Sequence, residues 1–219
     1  MFAEHKAILL LVGATAMLSL AACNGIFGFL YDNPAEQVKN EYGFISEDAN
    51  THSGRIYIDA TSFTDWQYID LHNKEVVKAP VDSLEPAMWD FAVHRYDAKT
   101  NGGAVSESGA ADFNALPSID RIAAAGFVAD VWTTDRIAVD MSQMMDGIVL
   151  YAESYYNPCL SQWLDVNTST MPPVYTLSGK IYILRLADGT YAALRLSNFM
   201  DDSSVKGFMT IDYLYPISF

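Results

Sequence analysis

Trp89-Asp90-Phe91-Ala92-Val93-His94-Arg95-Tyr96-Asp97-Ala98-Lys99-Thr100-Asn101-Gly102-Gly103 is the stretch that decides how this chain is read. Bulky apolar Trp89, Phe91 and Val93 alternate with Asp90, Ala92 and His94, the period-two signature of a strand with one buried face. Asn101-Gly102 then supplies a tight turn. The stretch therefore predicts a core strand that runs into a hairpin or loop.

Similar signals lie on either side. Upstream, residues 55–59 and 66–70 alternate like strands, and His72-Asn73-Lys74 offers turn chemistry before Glu75-Val76-Val77-Lys78. Pro80 and Pro86 punctuate a loop before Trp89. Downstream, a Gly/Ser/Ala-rich loop runs to about Pro117, and Ser118 is placed to cap a short helix through Ala125 that Gly126 stops. Val131-Trp132 and residues 136–141 return to a strand pattern, and Asp146-Gly147 turns the chain into Ile148-Val149-Leu150-Tyr151. That hairpin carries Met141, Met144 and Met145 at or near its tip. Residues 152–179 are less regular. Residues 180–185 and 191–196 flank Asp188-Gly189, the strongest short hairpin signal in the chain, and residues 207–215 form a last alternating strand. The whole predicts an all-β fold, an antiparallel two-sheet architecture with one or two short helices.

The bulk numbers agree. The 219 residues are long enough for one domain with a sizeable core after a leader. An aromatic content of 13% suits pleated, half-buried surfaces. With 13 basic against 27 acidic residues the net charge is −14, which repels nucleic acid and anionic membrane surfaces. No basic stripe follows a phosphate backbone, so a nucleic-acid partner is excluded.

The N-terminus carries targeting information. Met1-Phe2-Ala3-Glu4-His5-Lys6 is followed by an uncharged apolar run from Ala7 to Leu20 and then by Ala21-Ala22-Cys23. The apolar run is of signal-peptide length, too short for a spanning helix. Ending on Leu-Ala-Ala-Cys, it resembles a bacterial lipoprotein signal, with residues 1–22 removed and Cys23 acylated. Asn24 follows rather than Asp, so anchoring on the outer membrane is expected, with the lipid as the only membrane contact. Residues 23–53 then read as a lipidated tether and 54–219 as the folded domain. Lipidation of Cys23 leaves Cys159 without a partner, as a buried, inert thiol.

Catalytic signatures are missing. There is no Gly-x-Ser-x-Gly elbow, no His-Glu-x-x-His pair, no Cys-x-x-Cys and no Gly-rich phosphate loop, so an enzyme is not expected. His52 and His72 read as solvated turn residues, and His94 as a hydrogen-bonded structural histidine.

The Trp89–Gly103 stretch, together with Ile58-Asp59-Ala60-Thr61-Ser62-Phe63-Thr64-Asp65-Trp66-Gln67-Tyr68 and the run from Lys180 to Pro216, resembles the HmuY-type haem-binding lipoproteins. These blocks stand in that family's order and cover most of the chain after about residue 55. The resemblance implies a haemophore-like protein that captures haem (heme b), in some settings from host haemoproteins, and passes it to a TonB-dependent outer-membrane receptor. It also implies two axial ligands from segments facing each other across a cleft, here residues 140–148 and 163–175. Neither segment holds a histidine, which departs from the family's His-ligating members. They hold Met144-Met145 and Met171, and thioether sulfur is a soft haem-iron ligand that favours ferrous iron. Met145 and Met171 are thus the expected iron ligands, with Met144 as the adjacent competitor, since alternate strand residues face opposite ways. The same methionines also read as core filler. In that case the chain is a surface lipoprotein of the same fold that binds a glycan or a protein.

Overall fold

The computed structural model describes residues 41–81, 84–170 and 172–219. The expected signal peptide 1–22, the expected lipidation site Cys23 and Met171 lie outside the described residues.

Among the described residues the chain is all-β with one α-helix, as the alternating patterns predict. A seven-stranded antiparallel sheet has the order β1-β2-β15-β14-β13-β7-β8, built from β1 (Gly43–Asp48), β2 (Ser53–Asp59), β15 (Lys206–Leu214), β14 (Tyr191–Met200), β13 (Tyr182–Arg185), β7 (Ala104–Glu107) and β8 (Val128–Ala129). A four-stranded sheet has the order β4-β3-β5-β6, from β4 (Glu75–Pro80), β3 (Asp65–Asp70), β5 (Phe91–His94) and β6 (Asp97–Thr100). Two further ribbons stand apart from these: β9 (Val131–Asp140) with β10 (Leu150–Tyr156), and β11 (Leu164–Asn167) with β12 (Val174–Leu177). The two-sheet expectation thus gains two ribbons.

Burial shows how the layers stack. Ile56, Ile58, Met209 and Ile211 of the large sheet pack against Ile69, Phe91 and Val93 of the small sheet to form the main core. On the far face of the small sheet, Trp66, Tyr68 and Ala92 are covered by Ile137, Ala152 and Tyr156 of the β9–β10 ribbon. On the far face of the large sheet, Ile122 of α1 (Ile119–Ala125) lies over Ile181, Ile183 and Ala193. β5 is therefore buried at all four positions, where its alternation predicts one buried face; the ribbon supplies the second cover. Truncating Phe91 in such a core costs about 3–5 kcal/mol.

Three local expectations are corrected. The tight turn after β5 is formed by Arg95-Tyr96, with His94 paired to Asp97, and not by Asn101-Gly102. Arg95 adopts φ 55, costly for a non-glycine residue. Its guanidinium holds it there, donating to the Thr61 carbonyl at 2.6 Å and lying 4.3 Å over the Phe63 ring. The folded unit also starts earlier than residue 54: β1 lies inside the stretch 23–53 expected as tether and pairs with β2 from Gly43↔Tyr57 to Asp48↔Ser53. Finally, the Gly/Ser/Ala-rich segment after Gly103 contains β7, whose Ala104, Val105 and Ser106 are buried against β13.

Candidate functional site

The β9–β10 ribbon ends in the expected methionine tip. Asp140 pairs with Leu150, and between them the chain makes a 3-10 turn over Met144–Asp146. Gly147, in the left-handed region at φ 78, closes it by donating its N–H to the Met144 carbonyl at 3.0 Å. Met144 is 40% exposed and Met145 83% exposed. Met209, by contrast, is a methionine used as filler, with no exposure. Below the tip the ribbon continues to expose apolar surface at Ile148, Leu150 and Tyr151, and lower down the cross-strand pair Trp132 and Tyr155 meets edge to face at 5.0 Å.

The second expected ligand segment is the β11–β12 ribbon, irregular in the sequence but registered from Leu164↔Leu177 to Asn167↔Val174. Asn167 begins the turn by accepting from Ser169 N and Oγ at 2.9 and 2.6 Å.

Both ribbons are tied to the β5–β6 turn. Asp97 accepts from Arg136 Nε of β9 at 2.8 Å. Burial pushes the Asp97 carboxyl up, and the Arg136 charge works against that rise. The neighbouring residue Tyr96 packs edge-on against Tyr175 of β12 with centroids 5.3 Å apart, and its carbonyl accepts from Trp163 Nε1 at 2.8 Å. Tyr175 in turn stacks on Phe199 at 5.6 Å. Trp163 has no exposure, so it is core and lines no cleft. Asp97, Tyr96 and Arg136 carry no motif of their own. The sequence signal for them is only that they sit in or opposite segments singled out for other reasons.

The described histidines are committed elsewhere. His94 is 1% exposed and bonds the Phe63 carbonyl through Nε2 at 2.9 Å, and burial pulls its pKa down to about 4. His72 is more than a solvated turn residue: it lies between Asp90 at 3.1 Å and Asp188 at 3.0 Å, joining the start of β5 to the β13–β14 turn. Burial lowers its pKa, but the two carboxylates outweigh that and leave it raised. His52 sits in a turn at φ 55. Cys159 is a free, half-buried thiol whose pKa burial raises, which suits an inert side chain.

The site is thus an antiparallel body in four layers with two ribbons anchored on one turn. A family profile described as HmuY protein matches residues 62–213, and the chain belongs to the HmuY family. Among solved structures, a candidate HmuY-like heme-binding protein from Bacteroides vulgatus is 54% identical, with a TM-score of 0.75 over 82% of this chain and 100% of that one. A candidate lipoprotein from Bacteroides fragilis is 46% identical, with a TM-score of 0.74 over 81% of this chain and 96% of that one. The apo HmuY analog of Tannerella forsythia shares the fold at 21% identity, TM-score 0.63, over 76% of this chain and 96% of that one. No curated protein sequence matches the chain significantly. Family membership supports a heme-binding-related role, and HmuY-like family members are binding proteins.

Proposed function

We propose that this chain is a lipid-anchored haem-binding protein of the outer membrane, held by acylated Cys23, that captures extracellular haem between two ribbons and passes it to a TonB-dependent receptor. Met145 at the β9–β10 tip and Met171, which lies between β11 and β12 in the sequence, are its axial ligands, with Met144 as the alternative to Met145.

The observation that carries this reading is the exposure of Met144 and Met145 at a ribbon tip. Methionine kept as packing filler sits in a core; thioethers held in solvent on a turn closed by Gly147 are available to a ligand. The residues present fit haem: soft sulfur donors suit its iron, exposed Tyr151 and Leu150 suit its apolar face, and the described histidines are engaged elsewhere or sit in turns away from the ribbons. Haem bound this way supplies no reaction; the ribbons bind and orient it. On this reading haem is released when the two ribbons part.

Titration with haem, followed by visible absorbance, tests the reading. A sharp Soret band that saturates at one equivalent supports it. Weak, broad, unsaturable absorbance favours a surface lipoprotein that keeps the fold for a glycan or protein.

A further inference from the structure

A cavity lies away from both ribbons. It occupies about 340 Å³ where the β1–β2 edge of the large sheet meets the β3–β4 edge of the small one, and is lined by Tyr42, Phe44, Asp59, Gln67, Glu75 and Lys78 among others. That volume is at the lower end of small-molecule sites.

Gln67 is the anomaly. It lies on the row of β3 that faces the inter-sheet core, two residues from Ile69, with Val93 opposite on β5 and Lys78 opposite on β4. Its neighbours Ile69 and Val93 in that row are buried and apolar. Gln67 is 1% exposed, and its Nε2 has no hydrogen-bond partner. A buried amide without a partner is costly, and breaches of the apolar pattern concentrate at functional sites. A half-turn of the amide presents its donor to the cavity it lines.

The other polar groups around the cavity are also free to act. Among the described residues, Lys78 and Glu75 have no hydrogen-bond or ion-pair partner, whereas Lys74 is taken by Glu47. Asp59 accepts from Thr61 N and Oγ1 through Oδ1 only, leaving Oδ2 open. The Tyr42 ring is stiffened by stacking on Tyr57 at 5.5 Å. One free cation, two carboxylates and an amide give donors and acceptors in mixed order without a strong charge of either sign. That set suits hydroxyl groups, which both donate and accept, better than it suits an ion. An aromatic ring beside it suits the C–H face of a sugar.

We propose that this cavity is a second ligand site, independent of haem, that takes a neutral monosaccharide or the terminal sugar of a glycan, with Gln67, Lys78, Asp59 and Glu75 as its polar contacts. Its occupant reaches the protein from the side of the domain where the chain enters β1.

Saturation-transfer NMR on the full chain, with methyl galactoside, methyl mannoside and N-acetylglucosamine as probes and glucuronate and glucosamine as charged comparators, tests this. The expected result is a saturable signal for at least one neutral sugar, weakened about tenfold in both Gln67→Leu and Lys78→Ala. Lys78 is exposed, so its variant keeps the fold even where Gln67→Leu changes packing. Absence of a saturable signal from any neutral sugar overturns the proposal and leaves the cavity to water. A signal unchanged in both variants, or one stronger for either charged comparator, overturns it as well.

Discussion

Arg136 Nε of β9 donates to Asp97 Oδ1 at the turn that opens β6, at 2.8 Å, and this ties the methionine-tipped ribbon to the body of the protein. The Asp97 side chain is well buried, while half of the Arg136 side chain is exposed, so the carboxylate is the partner that suffers if the bond is lost. Arg136→Met is expected to cost about 1–3 kcal/mol in urea unfolding, because a buried charge is left alone. Amide exchange at Ile137 and Ala152 should accelerate with it. Adding Asp97→Asn should recover part of the loss, a coupling that a double-mutant cycle reads directly.

The second ribbon depends on Tyr175, which meets both Tyr96 and Phe199. Tyr175→Ala removes two aromatic contacts and is expected to cost about 2 kcal/mol. On the proposed function it also lowers haem affinity, since the ribbon next to Met171 in sequence loses its packing on the body. Tyr175→Phe keeps the rings and should restore most of both.

Two histidines give opposite pH dependences. His94 is held neutral, with a folded pKa of about 4 against 6.5 for the free side chain. Below pH 6.5 the unfolded chain takes up a proton that the folded chain refuses, so stability falls as the pH drops from 6.5 toward 4, by up to about 3 kcal/mol. His72 has a raised pKa between Asp90 and Asp188. Its contribution is complete below pH 6.5 and is lost as the pH rises through the raised value; being largely exposed, it stays below about 1 kcal/mol. Urea midpoints across pH 4–8 should therefore lose their acid-side slope in His94→Asn and a small alkaline-side slope in His72→Gln.

Lys99 is buried on β6 beneath the Trp66 ring at 4.3 Å, with Nζ on Glu85 at 2.5 Å and on the Tyr68 hydroxyl at 3.2 Å. Removing only the acid strands the buried ammonium, so Glu85→Ala should cost about 1–3 kcal/mol. Lys99→Met fills the same aromatic box without a charge and should be close to neutral. Thermal unfolding of the two variants side by side checks the contrast.

Where sequence patterns were enforced locally they were readable. Asp188-Gly189 turns β13 into β14, Gly126 ends α1 at φ 92, and Gly147 closes the methionine tip at φ 78, each a demand that one residue type meets. What failed was enforced from a distance. Arg95 takes a left-handed turn because Thr61 and Phe63 hold its guanidinium, and nothing next to it in sequence announces that. β7 looks like a loop by composition, yet its small Ala104 and Ser106 are buried in the sheet, where neighbours supply the stabilisation that propensity lacks. β1 is polar apart from Phe44 and Ile45, as an edge strand permits. For the candidate site, the exposed methionine tip was legible from Met144-Met145 beside Asp146-Gly147. The shared anchor at Tyr96-Asp97 was not, because it exists only once two ribbons distant in sequence converge on one turn.

Axial ligation by two thioethers is tested by the visible spectrum of the haem complex, oxidised and dithionite-reduced, in the parent, Met145→Ala, Met144→Ala and Met171→Ala. The protein should retain β1 and begin before Gly43. A one-to-one complex that sharpens and tightens on reduction, survives at pH 5 where histidine ligation weakens, and is lost in Met145→Ala and in Met171→Ala but kept in Met144→Ala is the predicted result. Spectra unchanged in both Met145→Ala and Met171→Ala would contradict it.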